Sequence, residues 1–264
     1  MTVRTYDWAT LSHDALSGLD LSGAVAVLPL GATEQHGAHL PLSTDTDLAE
    51  GLFDAALERL TAEVTVLRLP AIAIGASAEH ADRAGTLSVP AETLAQTLRS
   101  IGAGVAAAGV RRLVLLNAHG GNLAAMDIAA LDLRQAHGMF VVKLHYPRLQ
   151  IGPVDLPAAE LAQGIHGGAV ETAMMLHLHP GRVDRAAFPA VDAPAPGITA
   201  SPGRVAPNGE APWAWLAGDL DASGIAGDPR LADAALGERL VTGYGAAIAD
   251  VLTEIASMDW PTDG

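Results

Sequence analysis

Short apolar runs alternate with longer Ala/Leu-rich segments through the first half of the chain, and this rhythm constrains the fold more than any other feature. Ala24–Leu30 (AVAVLPL) ends at a glycine, Val64–Ile74 (VTVLRLPAIAI) is interrupted by Pro70, and Leu113–Leu116 and Met139–Leu144 complete the clear strands. Between them lie Asp47–Leu60, Ala91–Ala108 and Leu123–Ala136, each of helical length. This order predicts an α/β fold, a mostly parallel sheet with helices on both faces. In such sheets ligands bind beyond the carboxyl ends of the strands. Further helix signals stand at Gly168–Leu178 and Asp228–Ile255. Phe188–Pro212 is rich in Pro, Ala and Gly without a period, and reads as a long surface loop serving as a lid or an oligomer contact.

A length of 264 residues suits one domain, 1–264, and is short for two. Half the residues are hydrophobic but only 4% are aromatic, so the core is built from small and branched side chains. Cysteine is absent, which excludes disulfides, thiolate catalysis and Cys-based zinc sites and leaves His, Asp and Glu to hold any metal. A formal charge of −15 opposes binding to nucleic acid or an anionic membrane. No apolar run approaches the roughly 20 residues of a membrane span. Arg4, Asp7 and Asp14 interrupt any signal-peptide core, so a cytoplasmic location is expected.

The most informative segment is Leu28–Asp47, LPLGATEQHGAHLPLSTDTD. Glu34 and His36 are two apart and share one side of an extended chain. Gly31 ends the strand, and a loop with Gly37 and Pro41 can return Asp45 to the same place. An imidazole and two carboxylates meeting there suit zinc, manganese or iron(II). An isolated E-x-H pair is a weak signal, since polar residues gather in any loop.

In Arg112–Asn122 (RLVLLNAHGGN) a strand runs into His119, two glycines and a helix. His119 is a candidate ligand, and Asn117 or Asn122 can orient the loop. Gly120 and Gly121 would let backbone approach a substrate closely, with helix-start N–H groups facing a developing negative charge. The rival reading, a phosphate cradle, lacks the Lys of a P-loop and the GxGxxG spacing.

In Gly164–Thr172 (GIHGGAVET), His166 is placed to handle a proton beside a metal, while Glu171 also suits a plain helix start. In Gly75–Pro90 (GASAEHADRAGTLSVP), Ser77 can contact substrate and Glu79 and His80 can orient ligands, ahead of a helix capped by Ser88. A solvated loop explains any one of these equally well. His39 and His145 stay unassigned, and Trp213 and Trp215 suit a lid or a subunit contact less well than a structural role in burying surface.

Taken in order, GATEQHGAHLPLSTDTD, GASAEH followed by GTLSV, NAHGGN and HGGAVET resemble the creatininase (creatinine amidohydrolase) family, with a weaker echo in Gly218–Ala232 (GDLDASGIAGDPRLA). The resemblance implies a three-layer α/β/α sandwich, a homo-oligomer that is often a hexamer, and two divalent ions per subunit (Zn, Mn or Fe). By position, Glu34 and His119 would bind one ion, His36 the other, and Asp45 would bridge them. His166 falls where the family places its proton-handling histidine. Gly121 stands where creatininase itself has a Glu on the second metal, and Gly120 replaces an aromatic residue. Glu171 is the candidate to complete that shell. Asp82–Arg83–Ala84–Gly85 replaces an FPG of many relatives, and no Trp lies in sequence near His166 where creatininase covers its substrate. Creatinine is therefore not the expected substrate. The GGN form looks more like the wider family, which includes a formylamino-pyrimidine deformylase and a peptidase of mycofactocin maturation.

The expected activity is hydrolysis of a C–N amide bond in a small molecule, cyclic amide or formamide, by a water activated between the two metals, with His166 protonating the leaving nitrogen. A metal-dependent peptidase acting on a short peptide is the alternative, and a nonhydrolytic phosphate- or sugar-binding protein a more distant one.

Overall fold

The computed structural model describes residues 4–60, 64–189 and 204–260. Five strands form one wholly parallel sheet: β1 (Arg4–Asp7), β2 (Val25–Leu30), β3 (Thr65–Arg68), β4 (Arg112–Asn117) and β5 (Phe140–His145). Their order across the sheet is β1-β3-β2-β4-β5. The helices are α1 (His13–Ser17), α2 (Thr44–Leu57), α3 (Ala91–Ala107), α4 (Leu123–His137), α5 (Ala158–Gln163), α6 (Ala169–Leu178), α7 (Ala217–Leu220) and α8 (Ala234–Ser257).

The alternation of each strand sorts its residues into two cores. Val25, Val27, Val66, Val114 and Leu116 pack with α2, α6 and α8. Ala26, Leu28, Leu30, Leu67, Leu113 and Leu115 pack with α3 and α4 on the opposite face. The result is the expected α/β/α sandwich. Each fully buried Leu of β4 contributes about 1.5–3 kcal/mol by leaving water. No helix among the described residues is long and apolar enough to cross a membrane.

The strand order locates the site. From β2 the chain passes to β3 on one side, then crosses to β4 on the other, so the connections diverge between β2 and β4. Diverging loops open a crevice at the carboxyl edge of such a switch point. Register sets Leu30, Asn117 and His145 level at that edge.

Several boundaries differ from those expected. The run Val64–Ile74 is a strand only to Arg68; beyond Pro70 a single bridge joins Ile72 to Leu30. Helix α2 starts at Thr44 rather than Asp47, because the Thr44 backbone N–H and hydroxyl both donate to the Pro41 carbonyl and close the first turn early. Asp45 is therefore a helix-start residue and not a loop residue. Ser88 does not cap α3; Pro90 holds that position, and the Ser88 hydroxyl accepts from the Ser77 N–H at 2.8 Å. Helix α8 begins at Ala234, capped by Asp233, because residues 229–231 form a separate 3-10 turn. Strand β1 was not anticipated; it is a short, mostly exposed edge strand with no apolar pattern to betray it. Of the loop read at Phe188–Pro212, residues 190–203 lie outside the described residues.

Candidate metal centre

Glu34 and His36 follow β2, His119 follows β4, Asp45 opens α2, and His166 and Glu171 flank the start of α6. All converge at the carboxyl edge of the sheet. Gly31 allows the convergence: a Cβ there would meet Thr46 backbone atoms at 2.5 Å, so only glycine lets the end of β2 lie against α2. Gly37, at φ +73°, makes the turn between them in a backbone region that side chains disfavour.

Asp45 faces two ways. Its Oδ1 lies 3.2 Å from His36 Nε2, and its Oδ2 lies 3.2 Å from His119 Nδ1. Glu34 Oε1 joins the His119 side at 3.3 Å, and Glu171 Oε2 joins the His36 side at 3.8 Å. Two ligand groups result, Glu34–Asp45–His119 and His36–Asp45–Glu171, each with its donor atoms within 4.8 Å of one another. His166 Nδ1 stands 3.6 Å from Glu34 Oε1 and groups with Glu34 and His36 in the same way. The structure thus brings together every residue that the sequence nominated for metal or proton chemistry.

Both oxygens of Glu34 and Oδ2 of Asp45 are buried without a hydrogen bond. Burying unpartnered carboxylate oxygens is costly unless a cation meets them. The titration behaviour agrees. Burial opposes charge on His36, yet Asp45, with Glu171 and Glu34 behind it, pushes its pKa up to about 10. Burial opposes ionisation of Asp45 as well, but His36 and His119 hold its carboxyl well below the usual range. Glu171 moves the other way, pushed up to about 7 by burial and by the nearby carboxylates against the pull of His36. Charge in the cluster is balanced by protons on His36 and His119, whose pKa values are both raised, and divalent cations would replace those protons. The donor set of imidazoles and carboxylates fits zinc or manganese.

The surrounding loops are tied down by side chains. Asn117 Nδ2 donates to the His119 carbonyl at 2.6 Å, and Asn122 Nδ2 donates to the Gly31 carbonyl at 3.0 Å. His119 Nε2 lies 3.0 Å from the Ala76 carbonyl, 3.3 Å from Ser77 Oγ and 3.5 Å from Glu79 Oε1. A proton on Nε2 donated to that carbonyl leaves Nδ1 free to face Glu34 and Asp45. Two N–H groups at the start of α4 are occupied: those of Asn122 and Leu123 are taken by the His119 and Gly120 carbonyls of a 3-10 turn.

The family model Creatininase, described as creatinine amidohydrolase, matches residues 9–252. The chain belongs to the creatininase family. It is 36% identical over 245 residues to a mycofactocin precursor peptide peptidase of Mycobacterium tuberculosis, covering 90% of this chain and 87% of that protein. It is 34% identical over 176 residues to a creatinine amidohydrolase of Pseudomonas putida, covering 61% of this chain and 66% of the relative. Among solved structures, a manganese form of creatininase superposes with a TM-score of 0.73 at 25% identity, over 97% of this chain and all of the other.

Against that background, Gly121 is informative. A Cβ at this position would collide with the Ala76 carbonyl oxygen and come within 2.5 Å of Glu79 Oε1 and His119 Nε2. This creatininase-family chain has therefore filled with the 76–79 segment the space that a larger residue would need. Gly121→Ala should cost about 1–3 kcal/mol, the usual range for overpacking, read as a lower midpoint in chemical denaturation. An unchanged midpoint would mean that the segment moves freely.

One contributor escaped the sequence, and another reads there only as a residue burying surface or as a lid or subunit contact. Gln35, between Glu34 and His36, donates from Nε2 to the Gly224 carbonyl at 2.6 Å and lies 3.1 Å from His80 Nδ1. That contact leaves the His80 proton on Nε2, which faces Glu34 Oε1 at 3.4 Å. The signal was present as the Q of E-Q-H, but a glutamine there suggests no chemistry by itself. Trp215 is the other. No tryptophan is near His166 in sequence, yet the fold sets Trp215 edge-on to His80 at 6.0 Å, and His80 stacks on His166 at 4.1 Å. Of the unassigned histidines, His39 is buried against the Thr172 hydroxyl at 3.0 Å, and His145 lies 3.1 Å from Asn117 Nδ2.

Proposed function

We propose that this chain is a binuclear hydrolase of a C–N amide bond, with Glu34, Asp45 and His119 on one divalent ion and His36, Asp45 and Glu171 on the other. The observation that carries the proposal is the two-faced Asp45, whose oxygens each meet a different imidazole at 3.2 Å. When bound, the two ions would supply Lewis acidity, polarising the carbonyl and making a water acidic enough to attack at neutral pH.

The protein's own part is orientation and proton movement. His166 Nε2 donates to the Gln35 carbonyl at 2.7 Å, which fixes the proton there and leaves the Nδ1 lone pair toward the centre. Burial, with His36 and His80 beside it, holds the His166 pKa well below its usual value, so the ring is neutral at rest and, once protonated, gives the proton up readily. At Nδ1 it would take the proton that the attacking water loses and pass it to the departing nitrogen. We assign the substrate's border to Gly120, with Ser77 and Gly121 behind His119, where Ser77 Oγ lies 3.3 Å from its Nε2.

A second reading, cleavage near the end of a short peptide, is favoured by Gly120. A Cβ there meets nothing within 4 Å, so the strip beside His119 is open to a larger substrate. The relative named for a peptide substrate also covers 90% of this chain against 61% for the creatinine amidohydrolase. Phosphate binding is disfavoured, since Glu34, Asp45, Glu79 and Glu171 all face this space.

The test is a metal analysis joined to a substrate screen. About two divalent ions per chain are expected, with hydrolysis in a panel of cyclic amides, formamides and short peptides. Turnover confined to peptides selects the second reading. A chain that takes up no divalent ion and cleaves nothing refutes both. The same proposal treats residues 1–264 as one unit and the enzyme as a cytoplasmic homo-oligomer, hexameric by resemblance, which light scattering tests.

A further inference from the structure

Glu160 lies on α5, outside all four recognised segments, and its carboxyl group is buried. Its Oε1 accepts from the backbone N–H of Ala169 at 2.7 Å, the first residue of α6, and its Oε2 accepts from the N–H of Asp228 at 2.8 Å. Three glycines close around it. A Cβ on Gly168 would sit 2.6 Å from Oε1, one on Gly227 would sit 2.8 Å away, and one on Gly164 would collide with the same oxygen. No other residue type would leave the carboxylate room at these three positions.

The two bonds span the segment that carries His166 and Glu171. On one side, Glu171 Oε2 accepts from the Gly167 N–H at 2.6 Å, so this side chain is oriented by the same turn that Glu160 holds. On the other side, His166 and Ala226 exchange backbone hydrogen bonds at 3.1 and 2.7 Å, two residues before Asp228. A buried carboxylate bound to two N–H groups is a strong tie, because each bond is charge-assisted.

We infer that Glu160 is a positioning residue for the metal centre: its carboxylate, gripping Ala169 and Asp228 inside the glycine cradle, sets where Glu171 and His166 stand. This rests on the reading of His36, Asp45 and Glu171 as the seat of the second ion. Glutamine keeps the volume but turns an NH2 group toward one of the two N–H donors, so Glu160→Gln breaks one tie. The segment then loses its register while the Glu34–Asp45–His119 side, built on β2, β4 and α2, stays in place.

The experiment titrates the full chain, stripped of metal, with Zn2+ by calorimetry and follows amide exchange at Ala169 and Asp228. The wild type is expected to take two ions. Glu160→Gln should weaken one of them by about 10–100-fold, as loss of an outer-shell partner usually does, and leave the other within error. Exchange at one or both amides should speed up. Gly168→Ala, which presses on the same carboxylate from outside, should reproduce the split and decides the matter if Glu160→Gln does not fold. Equal weakening of both ions, or faster exchange with both affinities unchanged, overturns the positioning role and leaves a structural one. A wild-type chain that binds fewer than two ions overturns the two-ion reading and this inference with it.

Discussion

Asp45→Ala should lose both divalent ions and reduce turnover to background, the largest effect expected of any single substitution in the chain. Each oxygen of this carboxylate serves a different ligand group, so one truncation removes a donor from both. Outer-shell substitutions cost about 10–100-fold in metal affinity, and loss of a bridging donor should exceed that at each ion. The metal-free protein should lose stability as well. Asp45 is the carboxylate that meets His36 and His119, and removing one partner of a buried ion pair costs about 3–5 kcal/mol. Helix α2 also gives up the interaction of an acidic side chain with its first turn, about 0.3–1 kcal/mol. Thermal melts separate the two effects. Zn2+ or Mn2+ should raise the melting temperature of the wild type, by mass action on the folded state, and leave Asp45→Ala unmoved. A variant that still binds two ions near wild-type affinity would refute the bridging role.

How far the sequence could reach is visible in individual residues. The strands β2 and β4 were legible because both are buried on two sides and read as unbroken apolar runs. Glu34, His36 and His119 were legible because each closely follows such a run, where parallel sheets bind ligands. Asp45 was legible as a partner but not as a helix-start residue. Its helix begins early through a side-chain and backbone tie to Pro41, a local contact with no periodic signal. Glu160 was invisible, since its meaning lies in glycines at 164, 168 and 227, two of them on the next segment and one more than sixty residues away. Trp215 is the same case: only the fold carries it to His80, across some 135 positions of sequence. Residues that act from the end of a strand are announced by that strand. Residues that act by holding a neighbour are announced only by the neighbour.

His166→Ala should keep both ions and lose turnover by about 10²–10⁴-fold, the usual contribution of a general acid–base group. The ring is pinned from outside the centre: Nε2 donates to the Gln35 carbonyl at 2.7 Å, and His80 and His36 flank its faces at 4.1 and 4.2 Å. What remains for chemistry is Nδ1, 3.6 Å from Glu34 Oε1. From that position it can move a proton toward a leaving nitrogen, or it can bind a metal, because Glu34, His36 and His166 also satisfy the spacing of a ligand group. The two roles differ in what they predict. As a proton carrier, His166 matters most when the leaving group is a poor one, so the deficit should shrink with an activated anilide whose amine has a low pKa. As a ligand, it matters equally for every substrate, and metal content falls in step with activity. Full turnover on an ordinary amide would remove His166 from the chemistry and leave the stack of three imidazoles as a packing feature.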